Sequence, residues 1–150
     1  MPKLASPVSI LIADDDAQDA MLVQMAAQRA AVGLRLECVT DGEQAIDYLL
    51  GRAGYADRKT HPFPSMMLLD LKMPRLSGFD VLDFVRRKPE LRCLPIVIFS
   101  SSDDPKDIKR AYESGANSYL CKPHSSDDLS ALLKALQDYW CKFNHFPPQH

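Results

Sequence analysis

The sequence predicts an α/β protein built on a doubly wound, five-stranded parallel sheet in the strand order 2-1-3-4-5. Three observations lead there. Short apolar runs alternate five times with stretches of helical period. Such alternation buries its apolar faces only as a parallel sheet covered on both sides by helices. Right-handed crossovers then leave few topologies for five strands, and this order places a functional crevice beyond the carboxyl ends of strands 1 and 3.

The elements follow in order. Val8 to Ala13 is a β-branched apolar run and reads as a buried strand. Three aspartates follow, and then a helix from about Ala17 to Ala31, with Leu22, Met25, Ala26 and Arg29 at helical spacing and Gly33 ending it. Leu34 to Val39 is the second strand. Asp41 caps the second helix, with Gln44 three residues on in capping-box fashion. Ala45, Ile46, Leu49 and Leu50 form its apolar face, and Gly51 stops it. Residues 51 to 65 hold Gly51, Gly54, Pro62 and Pro64 without periodicity, a long loop of the kind that often has a special role.

Met66 to Leu69 is the third strand, ending at Asp70. Pro74, Ser77 and Gly78 break the chain before a helix from about Phe79 to Lys88, closed by Pro89. Ile96 to Phe99 is the fourth strand. Asp103 or Asp104 caps the fourth helix, with Pro105 in its first turn and Gly115 at its end. Ser118 to Cys121 is the fifth strand. Ser125 or Ser126 opens the last helix, whose stripe is Leu129, Leu132, Leu133, Leu136 and Trp140. Phe143 and Phe146 lie beyond that stripe and are expected to be exposed. The chain reads as a single domain over 1–150, with its core at about 8–140, the extended loop at 51–65 and a tail at 141–150.

Composition excludes several classes. A chain that is 46% hydrophobic and 25% charged is neither disordered nor a membrane protein. Its formal net charge of −2, with no Lys/Arg cluster, argues against a nucleic-acid surface. No apolar run is long enough to span a bilayer. Met1 to Pro7 lacks the apolar block of a signal peptide, so the expected location is the cytoplasm. Cys38, Cys93, Cys121 and Cys141 match no zinc or redox spacing and read as reduced, partly buried thiols. His61, His124, His145 and His150 are isolated and read as surface or loop residues.

The polar residues at the carboxyl ends of the strands carry the chemistry. Strand 1 ends at Asp14 and Asp15, strand 3 at Asp70, strand 4 at Ser100 and strand 5 near Lys122. In the predicted order all five meet on one rim. Three carboxylates in so small a space repel one another, and a divalent cation relieves that repulsion. Oxygen-only ligands favour a hard ion such as Mg²⁺. Asp15 and Asp70 are the expected direct ligands, with Asp14 holding a water and a backbone carbonyl near Lys72 completing the set. Phosphoryl transfer needs the charge on three equatorial oxygens neutralised, which Mg²⁺, Lys122 and the Ser100 hydroxyl can share. Asp70 is the expected nucleophile, forming an aspartyl phosphate. A cis Lys122–Pro123 bond would aim the lysine back into the site.

Each of these residues has a plainer reading alone: helix caps for Asp14 to Asp16, a turn residue for Asp70, surface groups for Lys122 and Ser100. The set as a whole is specific. Two rivals use the same elements. Asp14-x-Asp16 resembles the nucleophile motif of haloacid-dehalogenase-type phosphatases, although Gln18 departs from it and Asp70 is left idle. A flavodoxin-like cofactor binder needs a phosphate-cradling loop after strand 1, where three aspartates would repel phosphate. A third possibility is a binding module that needs no phosphate, for which five converging polar groups have no use.

The segments ILIADDD, LLDLKMPRLSG, PIVIFSS and YLCKP resemble the receiver domains of two-component response regulators, over Val8 to about Trp140. The resemblance implies a flavodoxin-like receiver fold and a stand-alone phosphoacceptor, not an enzyme with turnover of its own. It implies a sensor histidine kinase as phosphoryl donor. It also implies a switch in which Ser100 moves toward the aspartyl phosphate and Tyr119 turns inward. Output would pass to a separate protein partner. The loop at 51–65 and the ending ALQDYW look like the single-domain receivers that partner phytochromes. Those often pair through the fourth helix, fifth strand and fifth helix, which implies a homodimer here. Ser100 stands where threonine is commoner, Ser101 where Ala or Gly is common, and His124 where an aromatic is frequent.

Overall fold

The structure is a computed structural model describing residues 8–30 and 33–148. Readings that fall on Met1 to Pro7, Ala31 and His150 lie outside these residues. Five parallel strands form one sheet in the order β2-β1-β3-β4-β5. They are β1 (Val8–Ala13), β2 (Leu34–Val39), β3 (Met66–Leu69), β4 (Ile96–Ser100) and β5 (Ser118–Cys121). The helices are α1 (Ala17–Arg29), α2 (Gly42–Leu50), α3 (Gly78–Arg87), α4 (Pro105–Glu113) and α5 (Ser126–Leu136).

β1, β3 and β4 lie inside the sheet and are buried almost throughout, which is why they read as unbroken apolar runs. β2 and β5 are edges and only half-buried. One face of the sheet packs Leu11, Met67, Leu69, Ile96 and Ile98 against α2 and α3. The other packs Ile10, Ile12, Leu68, Val97 and Phe99 against Val23 and Ala26 of α1 and Leu129, Leu133 and Leu136 of α5.

Helix starts follow their caps. Asp16, Asp41, Ser77, Asp104 and Ser125 each accept a hydrogen bond from a backbone N–H of the first turn. Ser77 and Asp80 form a full capping box. At α2 the expected box is altered: the Gln44 side chain takes the N–H of Thr40, one residue before the cap. Gly51 ends α2 at φ 68°.

Several expectations are corrected. α1 ends at Arg29 and buries Val23, Ala26 and Ala27, while Leu22 and Met25 face solvent. The spacing fits either face of the helix, and the small alanines are what α5 packs against. α5 runs on into a π-helical segment, Gln137–Phe143. Trp140 is half-buried there, with Phe146 stacked on it at 6.1 Å, so Phe146 is covered while Phe143 is 75% exposed. Cys38, Cys93 and Cys121 are exposed, and only Cys141 is partly covered. No peptide bond is cis among the described residues, Lys122–Pro123 included.

The 51–65 loop has its own structure. It contains a 3₁₀ turn, Ala53–Tyr55, and packs Tyr55, His61 and Phe63 back onto α2 and the core. Tyr48 and Tyr55 lie 5.0 Å apart, and His61 meets both rings edge-on. His61 is thus a packed loop residue. No helix among the described residues is long and apolar enough to cross a membrane.

Candidate functional site

The sheet's hydrogen-bond ladder delivers the acidic residues to one rim. Asp14 N–H donates to Val39 O at 3.0 Å, and Asp70 N–H donates to Ala13 O at 2.9 Å. Both are therefore fixed as continuations of neighbouring strands. β5 arrives in the same way, with Lys122 N–H donating to Ser100 O at 2.8 Å. That rung carries Lys122 to the rim on a trans peptide.

The turn after β3 is held tight against the site. Gly78 N–H donates to Leu71 O at 2.9 Å. A Cβ on Gly78 would lie 2.2 Å from Asp70 O and 2.7 Å from Leu71 Cα, so only glycine fits. Arg75 in the same turn takes a left-handed φ of 68°, an uncommon conformation for a non-glycine residue.

Asp14, Asp15 and Asp70 each offer a carboxylate oxygen within 4.8 Å of the others. The donor set is all oxygen, which fits a hard divalent cation. Asp14 and Asp70 are buried and Asp15 is exposed. One oxygen of each buried carboxylate is already engaged: Asp14 Oδ1 accepts from Asp16 N–H at 2.9 Å, and Asp70 Oδ1 from Leu71 N–H at 2.8 Å. The opposite oxygens face Lys122. Its Nζ lies 2.7 Å from Asp14 Oδ2 and 3.2 Å from Asp70 Oδ2.

Burial raises the Asp14 pKa above the ordinary value, against the pull of Lys122. Burial works to lower the Lys122 pKa, but hydrogen bonds to Asp14 and Asp19 and the charge of Asp70 outweigh it and raise it. The lysine is therefore a fixed positive charge.

Asp19 is the residue sequence reasoning missed. Its Oδ2 lies 2.8 Å from Lys122 Nζ. No local pattern singled it out, because an acidic residue in the first turn of α1 already suits a helix N-terminus.

On the opposite flank, the buried Ser100 hydroxyl accepts from Ser102 N–H at 3.1 Å. Tyr119 is half-buried and donates its hydroxyl to Ser102 O at 2.8 Å. The Cys121 thiol reaches the same carbonyl at 3.6 Å. The sequence pointed to Ser100 and Tyr119 but not to Ser102, the backbone that joins them. Ser102 also donates its hydroxyl to Asp107 of α4 at 2.7 Å, which ties this flank to the helix. Lys72 is exposed, and no contact places it at the cluster.

A family model for the response regulator receiver domain matches residues 10–134. Among solved structures, the chain is similar to response regulator RPA3017 in red light signalling of R. palustris, with 35% identity and a TM-score of 0.89, covering 94% of this chain and 99% of that one. It is similar to the phosphorylated cyanobacterial phytochrome response regulator RcpA, with 28% identity and a TM-score of 0.85, covering 95% and 100%. The Mn²⁺-bound form of Rcp1, from Synechocystis, matches with 28% identity and a TM-score of 0.82 over the same shares. The order 2-1-3-4-5, the acidic crevice and these matches agree, and the chain belongs to the response regulator receiver domain family, the phosphoacceptor modules of two-component signal transduction.

Proposed function

We propose that Asp70 accepts the phosphoryl group. The observation that carries this reading is its placement: a buried carboxylate with one oxygen tied to Leu71 N–H and the other facing the acidic pair and Lys122. The tied oxygen fixes the side chain's orientation, which leaves Oδ2 as the attacking atom. Asp15 and Asp70 hold Mg²⁺ directly, Asp14 holds it through water, and the Lys72 backbone carbonyl completes the protein's share. When bound, the cation neutralises charge on the phosphoryl oxygens. Lys122 and Ser100 donate to the remaining oxygens.

Ser100 and Tyr119 form the switch. Ser100 must release Ser102 N–H to reach the phosphoryl group, and Tyr119 already holds the carbonyl of that same Ser102. A shift in the 100–102 backbone therefore passes directly to β5 and, through Asp107, to α4.

The donor is a sensor histidine kinase, and likeness to RPA3017 and RcpA favours a phytochrome. Residues 1–150 act as one receiver domain in the cytoplasm, without steady turnover of a small substrate. Output passes to a protein partner, with a homodimer formed through α4, β5 and α5.

The test is phosphorylation of the purified chain by a small acyl phosphate with Mg²⁺, followed by mapping of the label. Hydroxylamine-sensitive phosphate on Asp70 supports the reading. Label elsewhere, or label that persists in Asp70→Asn, overturns it.

A further inference from the structure

The three partners of Lys122 are not equivalent. Asp14 and Asp70 belong to the carboxylate cluster, and the oxygens they give Lys122 are the ones left free by their backbone hydrogen bonds. The ammonium therefore sits on the Asp70 oxygen assigned above to attack and on one oxygen of Asp14, inside the carboxylate cluster that would hold a cation. Asp19 stands apart. It lies in the first turn of α1, outside the group of carboxylates that could share an ion, and its side chain is 34% exposed against 3% for Asp14. Its contact with Lys122, at 2.8 Å, is nearly as short as the 2.7 Å of Asp14.

An ammonium has three protons, and here three carboxylates take them. A cation held by Asp15 and Asp70, with Asp14 binding it through water, would compete with the ammonium for both buried carboxylates and would repel it. Stranding a charge that is only 13% exposed would be costly. Asp19 is the partner that survives that competition.

We infer that Asp19 is a positioning residue, which retains the Lys122 ammonium at the mouth of the crevice when a divalent cation engages the cluster of Asp14, Asp15 and Asp70. This rests on the phosphoacceptor reading above. With Asp19 in place, Lys122 yields the two buried carboxylates yet keeps two protons free for phosphoryl oxygens. Without it, the lysine competes for the cation's ligands.

The test measures Mg²⁺ affinity by calorimetry at fixed ionic strength. Asp19→Asn keeps the shape and removes the charge. It should weaken Mg²⁺ binding about fivefold, and Asp19→Glu should restore it. In a Lys122→Met background the same substitution should change affinity by less than about twofold, because the lysine through which Asp19 acts is gone. Equal weakening in both backgrounds would show that Asp19 acts only through its field, and would overturn the inference. So would unchanged or tighter binding in Asp19→Asn.

A second readout needs no lysine variant. With ¹⁵N-labelled lysine and saturating Mg²⁺, the Lys122 ammonium signal should persist in the native chain and vanish by solvent exchange in Asp19→Asn. Persistence in both overturns the inference. A native chain that binds no Mg²⁺, or gains no phosphate on Asp70, sinks the phosphoacceptor reading itself before any Asp19 variant is measured.

Discussion

Lys122 and Arg58 are both cations drawn into the fold, and they are held in opposite ways. Lys122 is held by side-chain carboxylates on three different elements: Asp14 after β1, Asp19 in α1 and Asp70 after β3. Arg58 is held by backbone. It donates to Tyr48 O at 2.9 Å, His61 O at 3.1 Å and Leu49 O at 2.9 Å, and its guanidinium lies over the rings of Tyr48 and Phe63. Two of those carbonyls belong to the last turn of α2, where a helix leaves acceptors short of partners, although Tyr48 O also accepts from Gly51 N–H at 3.1 Å. A cation on backbone carbonyls has nowhere else to go, and the 51–65 loop is pinned to α2. A cation on carboxylates can be exchanged for another cation. One region thus uses positive charge as a fastener and the other as a movable part. Arginine's rigid fork suits the first use, and lysine's single flexible ammonium suits the second.

The largest expected effect lies in the crevice. Asp70→Asn should abolish phosphorylation while leaving the fold intact, read by label incorporation beside circular dichroism. Retained label would break the comparison at its root.

Gly78→Ala comes next, because its Cβ would collide with Asp70 O and Leu71 Cα. It should cost about 3 kcal/mol by urea unfolding, from overpacking. Phosphorylation should also slow by on the order of a hundredfold, since the same shift displaces the Asp70 carboxylate. A variant that loses stability but keeps its rate would show that the crevice tolerates more movement than its tight turn implies.

Arg58→Met sharpens the other side. Three backbone acceptors lose the Arg58 guanidinium, of which Tyr48 O keeps the Gly51 N–H, so stability should fall by about 2 kcal/mol. The initial rate of phosphorylation should stay within about twofold, because the loop lies on α2 and away from Ser100 and Lys122. A large rate loss at unchanged stability would make the loop part of the reacting region.

The smallest effect is a pH dependence. Burial raises the Tyr48 pKa from 10.0 to about 12, and its hydroxyl donates to Pro62 O at 3.0 Å. Well below pH 10 the phenol is neutral whether the chain is folded or unfolded, so its contribution is complete there. Between pH 10 and about 12 the unfolded chain ionises first, and stability falls as pH rises. Tyr48→Phe should be less stable at neutral pH, yet it should lack this share of the alkaline decline. Urea midpoints of both proteins between pH 8 and 11.5 check it, and parallel curves would refute it.

Much of the site was legible because each chemical group stands at a strand's carboxyl end. Asp14, Asp15, Asp70, Ser100 and Lys122 could be placed on one rim once the strand order was deduced. Asp19 was not placed there, because a helical aspartate near a cap has an adequate local explanation. Its contact with Lys122 spans 103 residues of sequence. The outward turn of Leu22 and Met25 was hidden for a related reason. Helical period fixes which residues share a face, but not which face the sheet and α5 will take.

The sequence by itself determined the alternation of strands and helices, the caps that start the helices and the residue types at the strand ends. These depend on local sterics, on hydrogen bonds within a turn and on the period of apolar residues. Only the tertiary structure decided the partners of Lys122, the fastening of the 51–65 loop by Arg58, and the role of the Ser102 carbonyl as a meeting point for Tyr119 and Cys121. Such contacts join segments far apart in the chain. Their energies depend on burial and on which oxygens remain unpaired after every nearer demand is met, and no local pattern in the sequence records that remainder.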